Sequence, residues 1–444
     1  MDTVDVIGGG LAGCECACQL ADRGVHVRLH EMRPQVMTPA HHTEGLAELV
    51  CSNSLKSTRP DSAAGLLKEE LSRMGSVLLD CARRAAVPAG GALAVDRERF
   101  SRLVGEQVAA RPNIELMRGE VTEIGEGPTV IAAGPLCSPA LSEVVLALVG
   151  GRSLSFFDAA APIVEADSLD RSILFSQSRY GDAGAGDYLN APLSKDEYTA
   201  FIDALVGARR VVLKDFERRE LFSACQPAEE VARTGADALR FGAMKPVGLT
   251  DPRTGRRPWA AVQLRAENAE RTAYNLVGFQ TNLAFGEQKR VFRMIPGLEE
   301  AEFARYGVMH RNTFVDSPHV LDKTFSVPGT RVRLAGQICG TEGYTEAIAS
   351  GLLAGVNTYA DLSGKPALSL PRTGALGALV AYATDPSTED YQPMHVNFGI
   401  VPPLDDGRRR SKRDRYAAYA ARALADLDAC LASRGDLFAP AEAS

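Results

Sequence analysis

Three groups of residues have types and spacing suited to chemistry. The first is a glycine turn. Gly8-Gly9-Gly10-Leu11-Ala12-Gly13 fits G-x-G-x-x-G and follows the apolar run Val4-Asp5-Val6-Ile7 directly. In such a turn the first glycine allows the tight bend. The second lets a pyrophosphate approach the backbone, and the third lets helix pack on strand. The unpaired N–H groups and the dipole of the helix then favour phosphate. Glu31 lies 18 residues past Gly13, where a carboxylate accepts hydrogen bonds from a ribose. A glycine turn alone is also compatible with a structural bend. Here the strand before it, the helix Leu11 to Arg23 after it and the acid beyond argue for a dinucleotide. A second strand–glycine–helix unit comes late. Arg331 to Gly336 reads as a strand, Gln337 to Gly343 as a turn with Gly340, and Tyr344 to Asn357 as a helix. It would place further N–H groups near a flavin, unless it is an ordinary αβ unit.

The second group holds nucleophiles. Cys51 sits between an apolar run and a polar turn, with Lys56 nearby. Cys225 precedes Gln226-Pro227, which reads as a helix entry. A neighbouring cation or a helix N-terminus lowers a thiol pKa and favours the thiolate. Each cysteine on its own reads better as an inert buried thiol. His310 lies among Arg311, Asn312 and Thr313, a polar setting in which an imidazole could stack on a flat ligand. His41-His42 could line a flavin site, but without carboxylate partners they make a poor metal site. Lys245 stands alone in the Gly/Pro-bearing segment Phe241 to Gly248.

The third group is basic. Arg253 to Arg257 forms a turn that includes Arg256 and Arg257. Arg408 to Arg415 carries six basic residues and one acid, among them Arg409, Lys412 and Arg413. The chain as a whole has 49 basic and 56 acidic residues, a net charge of −7, which by itself argues against nucleic acid. Setting the run 408–415 aside leaves 43 basic and 55 acidic residues. A basic run on an acidic body can grip phosphates; it also fits a solvated helix start.

The elements that position these groups follow. The chain has 444 residues, 45% apolar and 24% charged, ordinary values for a globular protein of two or three domains. Disordered, collagen-like and coiled-coil chains are excluded. Nine cysteines, an odd number without CxxC pairs, read as free thiols and imply no metal. With no signal segment and no long apolar run, the expected location is cytoplasmic, with no membrane contact. Val25 to Leu29 reads as the second strand, and Met32 to Ser62 as a polar loop. So long a loop asks for a functional reason and favours FAD over a simple NAD dehydrogenase. Ala64 to Cys81 reads as one amphipathic helix and Arg97 to Ala110 as another; Asn113 to Met117, Val121 to Ile124 and Thr129 to Ala133 read as strands. Beyond 150 the pattern changes to mixed strands and helices, such as Ala161 to Val164, Lys195 to Ala204 and Ala260 to Leu264. The expected fold is α/β: a Rossmann-like FAD-binding domain of the glutathione-reductase kind, in two segments, 1–150 and 306–444, around an α+β insertion, 151–305.

Together these motifs resemble the bacterial folate- and FAD-dependent tRNA (uracil-54) methyltransferases, the TrmFO family. The resemblance spans nearly the whole chain. It rests on Gly8 to Gly13, Glu31-Met32-Arg33-Pro34, Thr38-Pro39-Ala40-His41, Val50-Cys51-Ser52-Asn53-Ser54-Leu55 and Val87 to Arg97. It continues through Met244-Lys245-Pro246-Val247-Gly248-Leu249, Gly278-Phe279-Gln280-Thr281, Tyr306 to Asn312 and Glu342-Gly343-Tyr344. It implies FAD reduced by NADH or NADPH, 5,10-methylenetetrahydrofolate as carbon donor and a uridine of the tRNA T loop as acceptor. It also implies Cys51 and Cys225 as the functional cysteines, the second favoured as the one that attacks uracil, and His310 as the residue stacking on the pterin. Arg311, Asn312 and Lys245 are expected near substrate, and the basic segments near RNA. The protein is expected to be a monomer or weak dimer. The readings left beside it are the same chemistry on a ribosomal RNA uridine, a flavin oxidoreductase acting on a small molecule, and a non-catalytic FAD-bound RNA-binding protein.

Overall fold

The computed structural model describes residues 2–438 except 39, 152, 180–185, 212–225, 308, 389–390 and 406–407; for 153–159 and 309–312 it describes the backbone alone. The fold is α/β. Five parallel strands form the first sheet, in the order Val332–Leu334, Thr129–Ile131, Val4–Ile7, Val27–Glu31, Ile114–Arg118. Apolar residues at alternate positions, such as Val4 and Val6 or Val27 and Leu29, are buried, as a sheet covered by helices requires. The strand Val332–Leu334 closes one edge, so sequence distant from the amino terminus completes this sheet.

Helix Leu11–Ala21 rises from the glycine turn and packs on helix Tyr344–Leu362. The approach is close: a Cβ at Gly351 would lie 2.2 Å from the Ala12 carbonyl oxygen. Cys14, Cys16 and Cys18 are fully buried as small apolar groups, Cys16 against Gly355 of that helix, and burial pushes the Cys18 thiol up to about 12. A second, antiparallel sheet has the strand order Phe175–Ser176, Tyr188–Leu193, Ala260–Ala266, Ala273–Leu276, Ile163–Glu165, Phe303–Arg305. It packs on helices Lys195–Gly207 and Phe285–Phe292 over its own core, which includes Phe201, Phe279 and Phe292.

Several elements differ from the sequence reading. The span read as one helix, 64–81, is two, Ala63–Arg73 and Val77–Arg84. Gly75 breaks it with φ +74°, and Ser76 caps the second helix through the Leu79 N–H. The buried Glu15 carboxylate accepts from the Val77 and Leu78 N–H groups, so the break is stabilised from outside the segment. Residues 121–124 form no strand, and the second strand of the first sheet runs 27–31, not 25–29. The long polar loop contains a strand, Ser54–Ser57, which pairs with Ala92–Val95. Helix Tyr344–Leu362 continues past Asn357 because the added turn lies against the core through Ala360.

Candidate functional site

At the carboxyl end of Val4–Ile7 the chain turns through Gly8, whose φ is +112°. A Cβ at Gly13 would lie 1.8 Å from the Gly8 carbonyl oxygen, so only glycine allows the helix to start this close to the strand. The cleft above the turn is lined by Gly8, Gly9, Gly10, Glu31, His41 and Cys137, among others. Glu31 ends its strand there. Its Oε2 accepts from the Gly9 N–H at 3.1 Å, and its Oε1 from the Arg33 N–H and Nε, both at 2.9 Å. Burial raises the Glu31 pKa, but the Arg33 guanidinium more than offsets it, so the carboxyl lies below its ordinary range and stays an acceptor. His41 contacts Thr38 Oγ1 through Nδ1 at 2.6 Å. Burial, with Arg33 nearby, lowers its pKa to about 4, so the ring is neutral near pH 7. A bend that admits only glycine, first-turn N–H groups and an ionised acid at the next strand end together fit a dinucleotide with its pyrophosphate on the helix.

The late glycine unit lies against the same helix. Gly336, with φ +83°, approaches Ala12: a Cβ there would lie 3.1 Å from the Ala12 side chain. Gly340 and Gly343 also take positive φ, and helix Tyr344–Leu362 starts directly after Gly343. Its first residue reaches the Cys51 loop. The Tyr344 hydroxyl oxygen accepts from the Cys51 N–H at 2.9 Å and from the Ser52 N–H at 3.1 Å. Burial pushes the Tyr344 pKa up, so the hydroxyl keeps its proton. From the other side Arg97 donates to the Leu49 and Cys51 carbonyl oxygens and is paired with Glu267. The inserted sheet grips the loop as well: Arg265 donates to Asn53 Oδ1 at 2.7 Å and to Ser52 Oγ at 2.9 Å. Cys51 itself is half-buried. Three separate parts of the chain thus hold the Cys51 loop beside the helix that follows the second glycine unit.

Gly8 to Gly13, Glu31, Gly336, Gly340, Gly343 and Cys51 therefore converge on one region. Cys225 lies outside the described residues, as do the side chains of His310, Arg311 and Asn312. The backbone of the last three lies in strand Met309–Val315, paired with Ser153–Ala159. Lys245 is half-buried in a turn and donates its N–H to Gly242. Arg256 and Arg257 are exposed in a turn closed by the Asp251–Arg256 bridge, and Arg253 is held by Asp251 at 2.9 Å. Arg409, Lys412 and Arg413 are exposed at the start of helix Lys412–Ser433. Neither basic segment reaches the glycine cleft. Sequence reasoning gave no role to Arg97, Arg265, Glu267 or Tyr344. The signal for Tyr344 was its place directly after a positive-φ glycine. The arginines gave none, because their partners are distant in sequence.

Fold and site define a dinucleotide-binding α/β protein with an inserted antiparallel layer. The family model described as glucose inhibited division protein A matches residues 3–366. The GidA structure from Aquifex aeolicus superposes with a TM-score of 0.67 at 15% identity, covering 96% of this chain and 73% of that one. Two relatives are nearer in sequence. Both are named methylenetetrahydrofolate--tRNA-(uracil-5-)-methyltransferase TrmFO. The one from Geobacter sulfurreducens is 56% identical, over 97% of this chain and 99% of its own. The one from Acetivibrio thermocellus is 52% identical, over 96% and 97%. The chain belongs to the TrmFO family, within the wider GidA group.

Proposed function

We propose that this protein methylates carbon 5 of uridine 54 in the tRNA T loop, with 5,10-methylenetetrahydrofolate as carbon donor and FADH2, renewed by NADH or NADPH, as reductant. The observation that carries this reading is near full-length identity of 56% and 52% to enzymes named methylenetetrahydrofolate--tRNA-(uracil-5-)-methyltransferase. The glycine cradle with its ionised Glu31 supports it on physical grounds. The organisation proposed with it is an FAD-binding domain in two segments, 1–150 and 306–444, around an insertion, 151–305.

Uracil carbon 5 is a weak nucleophile. In the proposed reaction the Cys225 thiolate adds to carbon 6, and the electron pair moves to give an enolate that attacks the one-carbon unit. The proton on carbon 5 then leaves as the bond from the transferred carbon to the folate nitrogen breaks, that nitrogen keeping the electron pair and taking up a proton. Hydride addition to the exocyclic methylene so formed expels the thiolate from carbon 6. When bound, the reduced flavin supplies the electrons that convert methylene to methyl. The Glu31 carboxylate would hold the ribose of the bound FAD, and the N–H groups after Gly10 would receive its pyrophosphate. Cys51, fixed by Tyr344 and Arg97, stands near the flavin and assists or shields the reacting centre. His310 stacks on the pterin, with Arg311, Asn312 and Lys245 toward substrate.

The test supplies FAD, NADPH, methylenetetrahydrofolate and unmodified tRNA, then maps new 5-methyluridine. Methylation at position 54 that requires the folate is expected. Methylation at another position, on ribosomal RNA only, or with S-adenosylmethionine alone would overturn the proposal.

A further inference from the structure

Three aromatic rings stand in a row where the strand Phe303–Arg305 meets the start of helix Phe285–Phe292. Phe303 and Tyr306 lie 5.1 Å apart with 12° between their planes, and Tyr306 and Phe285 lie 5.0 Å apart with 18°. Phe303 in turn meets the buried Phe292. The ladder grows out of the core and ends at Phe285, which is 55% exposed. The inner face of that ring is stacked on Tyr306, so its exposure leaves the outer face open.

Two cationic residues lie close to Phe285 along the backbone. Lys289 is four residues further along the same helix and therefore on the same side. The Arg209 backbone lies alongside, its carbonyl accepting the Ala284 N–H at 3.0 Å. Both are exposed, and among the described residues neither has an acidic partner. The place is also central. The Val211 N–H donates to Asn282 and the Ala228 N–H to Gln280, so the chain on both sides of Cys225 is anchored just ahead of Phe285. Between the ladder residues Phe303 and Tyr306, Arg305 turns the other way and donates to the Ala40 carbonyl at 3.0 Å.

We infer that Phe285 is a stacking platform for an unpaired base of the RNA substrate, with Lys289 and Arg209 receiving the flanking phosphates. The inference rests on the tRNA reading above and deepens it. Every base has a π face, so an open ring beside free cations suits single-stranded nucleic acid whatever its sequence. The ladder behind the ring fixes its orientation before the base arrives, and so limits the ordering cost of binding.

The experiment uses the full-length FAD-loaded enzyme and unmodified tRNA. Phe285→Ala and Phe285→Leu are expected to weaken tRNA binding by about 5- to 150-fold, the loss of one base–aromatic stack. Phe285→Trp is expected to bind within about threefold of the parent, since the π face is kept. Flavin reduction by NADPH and the KM for the folate are expected to be unchanged. The leucine variant keeps apolar packing, so a melting temperature equal to the parent's separates binding from folding. The platform is overturned if Ala and Leu bind tRNA as the parent does, if Trp binds as weakly as Ala, or if the effect falls on the nicotinamide or folate instead. A parent enzyme that makes 5-methyluridine beside unaffected variants removes only the platform. A parent that neither binds nor methylates tRNA removes the functional reading as well.

Discussion

Tyr344 holds two backbone groups with one oxygen. Its hydroxyl accepts the Cys51 and Ser52 N–H groups, 293 and 292 residues away in sequence. Tyr344→Phe keeps the ring and removes only that acceptor. A buried donor left without a partner costs about 1–3 kcal/mol, more than an average hydrogen bond contributes. The variant is therefore expected to melt at a lower temperature. Its Cys51 loop also loses the tie on one side, while Arg97 still holds the other. The Cys51 thiol is expected to alkylate several-fold faster, measured by peptide mapping of an iodoacetamide time course. An unchanged alkylation rate would mean that Arg97 and Arg265 fix the loop without the hydroxyl.

At the scale of elements, helix Ala375–Ala383 begins after Gly374, which has no side chain to cap it. The cap comes from another helix: Glu70 accepts the Ala375 N–H at 2.7 Å and the Leu376 N–H at 2.9 Å. Glu70 is 2% exposed, and burial pushes its carboxyl from 4.5 up to about 7, against those two hydrogen bonds. Between these two values the folded protein holds a proton that the unfolded chain has released. Stability from this group is therefore full below pH 4.5, falls as pH rises and is gone above pH 7. Relative to Glu70→Gln, the parent should lose up to roughly 3 kcal/mol between pH 5 and pH 8, read as the urea midpoint at each pH. Parallel pH profiles would show that Glu70 stays ionised throughout. The same contrast explains what the sequence made legible. The glycine turn and Glu31 obey local rules within about 30 residues, so the first strand, the first helix and the cleft could be read in advance. The break at Gly75 is half local: the glycine and Ser76 were visible, but the carboxylate that stabilises the break comes from Glu15. The partners of Arg265, Asn53 and Ser52, are more than 200 residues away, and no periodicity reports such a pair.

For the whole molecule the question is how an acidic body would hold an RNA. The run Arg408 to Arg415, exposed except for the half-buried Arg410, stands at the head of helix Lys412–Ser433, which Ser411 caps through the Asp414 N–H at 3.2 Å. The Arg413 side chain is 83% exposed and only 3.9 Å from Asp61, a carboxylate already bound by Arg59. Its charge is therefore largely available to a phosphate. Arg409→Glu with Arg413→Glu should weaken tRNA binding and leave the flavin content per protein unchanged, since neither residue lines the glycine cleft. The salt dependence identifies the cause. For every phosphate that the variant no longer neutralises, the plot of log affinity against log salt should become shallower by about 0.7–0.9. Phe285→Ala, by contrast, removes stacking and no charge, so its line should drop while keeping the parent's slope. If the glutamate variant instead keeps the parent's slope, the basic run is a solvated helix start, and the cations that meet the RNA lie on the inserted layer, around Lys289 and Arg209.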